Sequence, residues 1–382
     1  MVDEWSQMVV RSVSGAEVAK LCASPGVLTL VSESAAAYAC VRFGLSPGPG
    51  GSSSVRRAYL KRELIGEPTL LRRLCDDRSN HTVVGIGSGW LCDIAKVVGH
   101  AWSKQRSDTR VVLVPSALTT NAPFTHKGVA DEQHMALAEP PSQGDDAVER
   151  GNRHSVVTGF PDAVWICHEL LERPGNGRFN RAGLGDPLSS ITGVFDNVLA
   201  DRDIKEPEKR RWYHADIHPE INDEACEMVR RIGEVAPEIK ANTREGIDAI
   251  VTALNASARW HYHAPRVING SEHLFAEAAE KIIRRKGKLA LHGELLSVGI
   301  LCALHLQNRR DEIAPTRDLL GSLGLPVNYT ALGLSRTEAL RALGSAVDYR
   351  PDKYGILNVI KDKMMFERAL DEVFDKTLLG IG

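Results

Sequence analysis

The sequence lacks three features that would assign it to a broad class at once. Its seven cysteines are scattered singly with no CxxC pair, which argues against a disulfide framework and against a thiolate zinc site. No apolar run reaches transmembrane length, and the N-terminus, with Asp3 and Glu4, has no signal-peptide pattern. The formal net charge is only −2, so nothing favours a nucleic-acid or membrane partner. We expect a reduced, soluble, cytoplasmic protein.

The first 168 residues alternate between short apolar runs and segments with helical periodicity. Strands are predicted at 27–31, 56–60, from residue 82, at 110–115 and at 163–166, with a helix near 16–22 in a mixed N-terminal lead-in. Residues 123–159 are polar and rich in turn signals, and they predict an extended loop or hairpin passing over the sheet. This alternation favours a parallel sheet with helices around it. We therefore predict a Rossmann-like α/β nucleotide-binding domain over residues 1–168.

After about residue 169, long amphipathic segments replace the strands. They lie at 181–201, 219–235, 243–260, 272–285, 289–307, 315–322, 335–345 and 364–376. Residues 201–219 interrupt this series with charges and suggest no role. The pattern predicts an all-α second domain over residues 169–382, with the ligand in the cleft between the two domains.

The stretch from Thr82 to Lys96 has the pattern of a phosphate-binding turn. An apolar run ends in closely spaced glycines and then becomes helix-periodic. Glycine lets the backbone approach a ligand, and a helix N-terminus offers unpaired N–H groups to a pyrophosphate. The alternative is a tight strand–helix turn without a ligand. Glu33, at the end of an earlier strand, is placed either to accept a hydrogen bond from a ribose hydroxyl or to stabilise the next helix.

Three residues of the second half form a candidate metal-ligand set. Asp186, His273 and His292 each lie near the start of a helical pattern, and Ser271 is the expected N-cap before His273. Two imidazoles and a carboxylate suit a divalent metal with positions left open for substrate. Two other pairs have equally suitable spacing: His214 with His218, and His261 with His263. Chemistry alone leaves the choice open.

Four segments together resemble a known superfamily. They are Gly85 to Lys96, Ala182-Gly183-Leu184-Gly185-Asp186, Gly270-Ser271-Glu272-His273-Leu274 and Leu291-His292-Gly293. In this order and spacing they resemble the iron-containing alcohol dehydrogenase and 3-dehydroquinate synthase superfamily, and within it the glycerol-1-phosphate dehydrogenase branch. The resemblance spans roughly residues 80 to 305. It implies a dehydroquinate synthase-like fold.

The resemblance also implies roles for individual residues. It places NAD or NADP at Gly87, Ser88, Gly89, Asp93, Ser116, Thr119 and Thr125. It places a metal, Zn²⁺ or else Fe²⁺ or Ni²⁺, at Asp186, His273 and His292, and substrate at Asn121 and Glu277. The implied function is a metal-dependent NAD(P)(H) oxidoreductase acting on a small polyol, its phosphate or the corresponding ketone. The resemblance further implies a homodimer.

The chain departs from that branch at four points. Ser88 replaces a glycine, Ser116 a threonine and Asn121 an aspartate, and the expected tryptophan after Asp196 is absent. Two alternatives therefore stay open. One is a sugar-phosphate cyclase or lyase of the 3-dehydroquinate synthase type that uses NAD transiently, with Lys127, Arg153 and Arg266 as anchors for phosphate. The other is a non-catalytic relative.

Overall fold

The chain divides into two compact units, Met1–Asn176 and Gly177–Gly382. The computed structural model describes residues 7–32, 35, 56–60, 68–77, 79–131, 153–214, 216–349, 353–360 and 362–374. Within these residues, no helix has the length and apolar character needed to cross a membrane.

The first unit is built on a parallel sheet. Its strands are β1 (Val9–Ser12), β2 (Val27–Ser32), β3 (Arg56–Leu60), β4 (Thr82–Gly87), β5 (Arg110–Pro115) and β8 (Ala163–Ile166). In the described residues they form a six-stranded sheet of order β1-β8-β5-β4-β2-β3, and every neighbouring pair is parallel. The predicted α/β class is confirmed.

Alternate residues of the central strands face two hydrophobic layers. Val84 and Ile86 of β4 join one layer, with helix α1 (Gly15–Cys22). Val83 joins the other layer, with Leu91 of helix α3 (Gly89–Ser103). A strand that is buried on both faces has a continuous apolar sequence. Strand β4 is of this kind, and it was therefore predicted from the sequence. The first unit also contains helices α2 (Pro68–Cys75) and α4 (His168–Leu171).

The segment predicted as a loop or hairpin contains two more strands. They are β6 (Lys127–Asp131) and β7 (Arg153–Val157), which pair antiparallel in a separate two-stranded sheet. The N-terminus was predicted as a mixed lead-in with one short helix and no strand. That prediction was wrong for β1, which pairs with β8 at the edge of the main sheet. β1 has mostly exposed side chains, so no apolar run marks it in the sequence.

The second unit is helical in its described residues. Its helices are α5 (Asn176–Arg181), α6 (Gly185–Leu188), α7 (Ser190–Asp203), α8 (Pro207–Tyr213), α9 (Pro219–Glu234), α10 (Ala236–Ala241), α11 (Arg244–His263), α12 (Ser271–Arg285), α13 (His292–Leu306), α14 (Ile313–Ser322), α15 (Arg336–Tyr349), α16 (Ile356–Val359) and α17 (Met364–Phe374). The predicted helical character of this half is confirmed.

Two predictions for individual helices were wrong. Residues 181–201 do not form one segment but break into α5, a 3-10 turn at Ala182–Leu184, α6 and α7. Residues 201–219 were predicted to interrupt the series of helices. They contain helix α8, with Pro207 in its first turn. Proline suits the first turn of a helix because its missing N–H would be unpaired there in any case.

Candidate metal and nucleotide sites

Asp186, His273 and His292 meet at one point of the second unit. Asp186 lies in α6, His273 in the first turn of α12, and His292 is the first residue of α13. One ligand atom from each lies within 4.8 Å of the others. No other group of three or more histidine, cysteine or carboxylate side chains converges in this way among the described residues. Tertiary packing thus selects these histidines, and it brings neither alternative pair into such a group.

The spacing of the three ligand atoms fits an ion rather than direct hydrogen bonds. Nε2 of His273 lies 3.6 Å from Oδ1 of Asp186, and Nε2 of His292 lies 3.5 Å from the same oxygen. These distances exceed those of good N–H···O hydrogen bonds. Two ligands held tetrahedrally at about 2.1 Å from one Zn²⁺ lie about 3.4 Å apart. The donor set therefore fits a divalent metal ion.

The electrostatics of the triad are those of an ionised carboxylate between two imidazoles. Burial raises the pKa of Asp186, but His273 and His292 outweigh that cost and hold the pKa below its usual value. Burial lowers the pKa of His292, and the Asp186 carboxylate reverses that shift, so the net direction is upward. A divalent cation would replace the proton that these groups otherwise compete for.

Two glycines let the elements that carry Asp186 and His292 approach each other. A Cβ on Gly185 would lie 2.2 Å from Cα of Gly293, and a Cβ on Gly293 would lie 1.6 Å from the carbonyl oxygen of Ala182. No larger residue fits at either position without moving the backbone. Each glycine is adjacent in sequence to a metal-ligand candidate, so their contact sets the distance between Asp186 and His292.

Glu272 orients His273 through a hydrogen bond on the far side of the ring. This carboxylate is fully buried and accepts from Nδ1 of His273 at 2.9 Å, from the Gly270 N–H at 2.7 Å and from the Thr192 hydroxyl at 2.7 Å. Burial raises the pKa of Glu272, but the hydrogen bonds from His273 and Thr192 outweigh burial and hold that pKa below its usual value. The carboxylate is therefore ionised at neutral pH. An ionised carboxylate only accepts, hence Nδ1 carries the proton and Nε2 faces Asp186 with its lone pair.

Substitution of Glu272 is expected to weaken metal binding without removing a ligand. Glu272→Gln keeps the shape but loses the charge, and we expect metal affinity to fall about tenfold; Glu272→Ala should cost about 100-fold. Competition with a chromophoric chelator measures both values. Glu227→Gln is the control, because this carboxylate pairs with Arg230 and Arg231 on helix α9 and not with an imidazole of the triad. Equal effects of Glu272→Gln and Glu227→Gln would contradict the orienting role.

The expected N-cap of α12 is replaced by a different arrangement. The cap residue is Gly270, and Ser271 is the first helical residue, so the prediction of Ser271 as N-cap was wrong. The buried carboxylate of Asp196 accepts from the Ser271 N–H at 2.6 Å and takes over the capping role. Burial and the nearby Glu272 charge raise the pKa of Asp196 to about 6. Side chains from α7 and α12 thereby fix the turn that precedes His273.

The predicted phosphate-binding turn lies at the start of α3. Gly87 ends β4, Ser88 is the N-cap with no hydrogen bond from its side chain to the helix, and Gly89 begins the helix. A Cβ on Gly89 would lie 2.8 Å from the Thr120 hydroxyl oxygen and 3.7 Å from that of Thr119. The site thus joins an N-terminus without a side-chain cap to the hydroxyl-bearing segment after β5, which is the arrangement that suits a pyrophosphate.

Asp93 and Thr125 surround a buried lysine that the sequence analysis did not single out. The Lys96 ammonium group, 1% exposed, lies 3.1 Å from Oδ1 of Asp93 and donates to Oγ1 of Thr125 at 3.1 Å and to the Ala122 carbonyl at 2.7 Å. These bonds join α3 to the segment that follows β5. Asp93 and Thr125, both predicted to contact the nucleotide, thus each have Lys96 as a partner inside the protein.

The remaining predicted residues are placed as follows. Ser116 is buried after β5 and Thr119 half-buried beyond it, in the first unit. Asn121 precedes a 3-10 turn at Ala122–Phe124, also in the first unit. Glu277 lies on α12 one turn after His273. Glu33 lies outside the described residues.

Glu272 and Lys353, like Lys96, have no role predicted from the sequence. Glu272 directly precedes His273 in the sequence, and this adjacency was the only indication in the sequence that it could contact the imidazole ring. Lys353 forms a buried ion pair with Glu277 from a segment with no recognisable pattern.

Solved structures share this fold over nearly the whole chain. A probable glycerol dehydrogenase from Sinorhizobium meliloti 1021 matches with a TM-score of 0.66 and 19% identity, covering 98% of each chain. The iron-containing alcohol dehydrogenase from Thermococcus thioreducens matches with a TM-score of 0.60 and 12% identity, covering 95% of this chain and 97% of that one. The fold is thus that of the glycerol and iron-containing alcohol dehydrogenases.

Sequence comparison defines the family within that fold. No family model matches the chain. The glycerol-1-phosphate dehydrogenase [NAD(P)+] of Methanosarcina acetivorans is 30% identical over 277 residues, which cover 72% of this chain and 67% of that protein. The chain belongs to the glycerol-1-phosphate dehydrogenase family.

Proposed function

We propose that the protein is a metal-dependent NAD(P)(H) oxidoreductase acting on a small polyol, its phosphate or the corresponding ketone. The observation that carries the proposal is the convergence of Asp186, His273 and His292 at the spacing of ligands to one ion. The relatives named glycerol-1-phosphate dehydrogenase [NAD(P)+] support the same activity.

In this proposal, some residues bind the metal or the nucleotide and others orient the metal ligands. Asp186, His273 and His292 would hold the metal, which when bound supplies Lewis-acid polarisation of an alcohol or carbonyl oxygen. Glu272 keeps His273 in the tautomer that presents Nε2. The N-terminus of α3, at Ser88 and Gly89, would bind the pyrophosphate of the nucleotide.

We propose zinc as the metal. Two imidazoles and a carboxylate, with further positions open, are a usual ligand set of catalytic Zn²⁺. The same set also serves Fe²⁺, and imidazole suits Ni²⁺ as well. Activity of the metal-free protein reloaded with each ion separately decides among the three.

The test of the proposed function combines composition, binding and turnover. We expect about one divalent metal per chain by elemental analysis, binding of NAD(H) or NADP(H) in fluorescence titrations, and stoichiometric oxidation of the reduced cofactor with dihydroxyacetone phosphate or dihydroxyacetone. Removal of the metal by a chelator should abolish turnover, and re-addition should restore it. Protein that binds neither metal nor nucleotide would instead be a non-catalytic relative.

The cyclase alternative has less support at the described residues. Such an enzyme needs cations for a substrate phosphate, and Arg266 was one of three candidates. Its guanidinium group is buried and donates to the carbonyls of Tyr213 and Asn269. Release of inorganic phosphate with no net change in NADH would nevertheless identify the cyclase reaction.

The finer expectations from the sequence stay predictions. They are substrate contacts at Asn121 and Glu277, nucleotide contacts at Gly87, Asp93, Ser116, Thr119 and Thr125, a ligand cleft between the domains, a homodimer and a cytoplasmic location.

A further inference from the structure

A buried ion pair lies one helical turn from a metal-ligand candidate. The Lys353 ammonium group lies 3.0 Å from Oε1 of Glu277, and the lysine side chain is only 2% exposed. Ion pairs at this depth contribute little net stability because both charges must leave water. Stability alone therefore gives no reason for a charged residue at position 353.

The segment that carries Lys353 is fixed to the start of helix α12. The Ile356 N–H donates to Oδ1 of Asp196 at 3.0 Å, and the Leu357 N–H donates to the Ser271 hydroxyl at 3.3 Å. Asp196 also holds the Ser271 N–H. The backbone just after Lys353 is thus anchored on the same turn that orients His273.

Glu277 is the member of the pair that a ligand can reach. It follows His273 by four residues on α12, which places both side chains on one face of the helix. Its side chain is 19% exposed, against 2% for Lys353.

The two carboxylates that follow His273 on this helix each have a basic partner. Glu280 pairs with Arg284 of its own helix, whereas Glu277 pairs with Lys353 from a distant segment. A carboxylate held by a fixed ammonium group stays ionised and keeps one orientation, and an ionised carboxylate is a strong acceptor for a hydroxyl group.

We propose that Lys353 is a positioning residue that holds the Glu277 carboxylate as the acceptor for a hydroxyl group of the substrate. The inference rests on the proposed function and deepens it. It assigns the site to substrates with a hydroxyl beside the reacting carbon, as in a polyol or its phosphate. Lys353 acts through Glu277, because its own side chain is nearly closed to solvent.

Lys353→Met should alter substrate binding more than turnover. Loss of a hydrogen bond to a charged group predicts a KM for the polyol substrate raised about 10–100-fold, with kcat little changed. Lys353→Arg should restore part of the loss, since it keeps the charge. Metal content and nucleotide titrations should match the wild type. Calorimetric titration of the metal-loaded protein with glycerol 1-phosphate reports the same loss without turnover.

A matched control and a double mutant separate positioning from a general structural effect. Lys286 pairs with Glu338 at 2.6 Å at the far end of the same helix, so Lys286→Met removes a more exposed ion pair of the same residue types and should leave KM unchanged. Glu277→Gln alone should raise KM as Lys353→Met does. Adding Lys353→Met to Glu277→Gln should then change KM little.

Each outcome bears on the inference in a distinct way. The inference is overturned if the effects of Lys353→Met and Glu277→Gln on KM add in the double mutant. It is also overturned if Lys353→Met lowers kcat and leaves KM unchanged. If Lys353→Met fails to fold, the neutral pair Glu277→Gln with Lys353→Gln takes its place, and an unchanged KM there overturns the inference. Wild-type protein that turns over no polyol, polyol phosphate or ketone would overturn the proposed function and this inference with it.

Discussion

His273→Ala is expected to abolish turnover by removing a metal ligand. The imidazole Nε2 lies 3.6 Å from the Asp186 carboxylate, and Glu272 holds the ring in place from the other side. Polarisation by a metal is worth several kcal/mol, so turnover should fall by at least about 10³-fold. Elemental analysis should show much less than one metal per chain, whereas NAD(P)H titrations should be unchanged.

A second histidine provides the matched control for this substitution. His263 is exposed at the end of α11 and belongs to a pair that the sequence left as an alternative ligand set. His263→Ala should retain both metal and turnover. Normal turnover in metal-loaded His273→Ala protein, or loss of metal in His263→Ala, would contradict the assignment of the triad.

Gly293→Ala is expected to damage the metal site without touching a ligand. The new Cβ would lie 1.6 Å from the Ala182 carbonyl oxygen, so α13 must move away from the turn before Asp186. Overpacking of this kind costs about 1–3 kcal/mol of unfolding free energy. A displacement near 1 Å between Asp186 and His292 should also lower turnover about 100-fold. Thermal unfolding and metal titration measure the two effects.

Gly344→Ala is the control for the change of residue type. Gly344 lies in helix α15, and a Cβ there would meet no atom within 4 Å. The substitution should stabilise the protein by up to about 1 kcal/mol, because alanine favours helix. If Gly293→Ala behaves like Gly344→Ala, the close contact of Gly185 and Gly293 does not control the site.

The parts of the fold that the sequence predicted are those with a strong local pattern. Strand β4 and helix α3 were evident because both are buried, and burial leaves an apolar run followed by helical periodicity. Strand β1 was missed because it lies exposed at the sheet edge and takes its conformation from pairing with β8. Helix α8 was missed because its residues are largely polar.

Residue types and their spacing identified the groups that could hold a metal and the turn that could bind a nucleotide. Residue chemistry left three pairs of histidines in competition, the family resemblance pointed to His273 and His292, and residues 353–360 had no role. Only the tertiary structure brought His273 and His292 together with Asp186, because the distance between separate helices depends on packing such as the contact of Gly185 with Gly293. Only the tertiary structure placed Lys353 on Glu277, because that ion pair joins segments with no shared pattern along the chain.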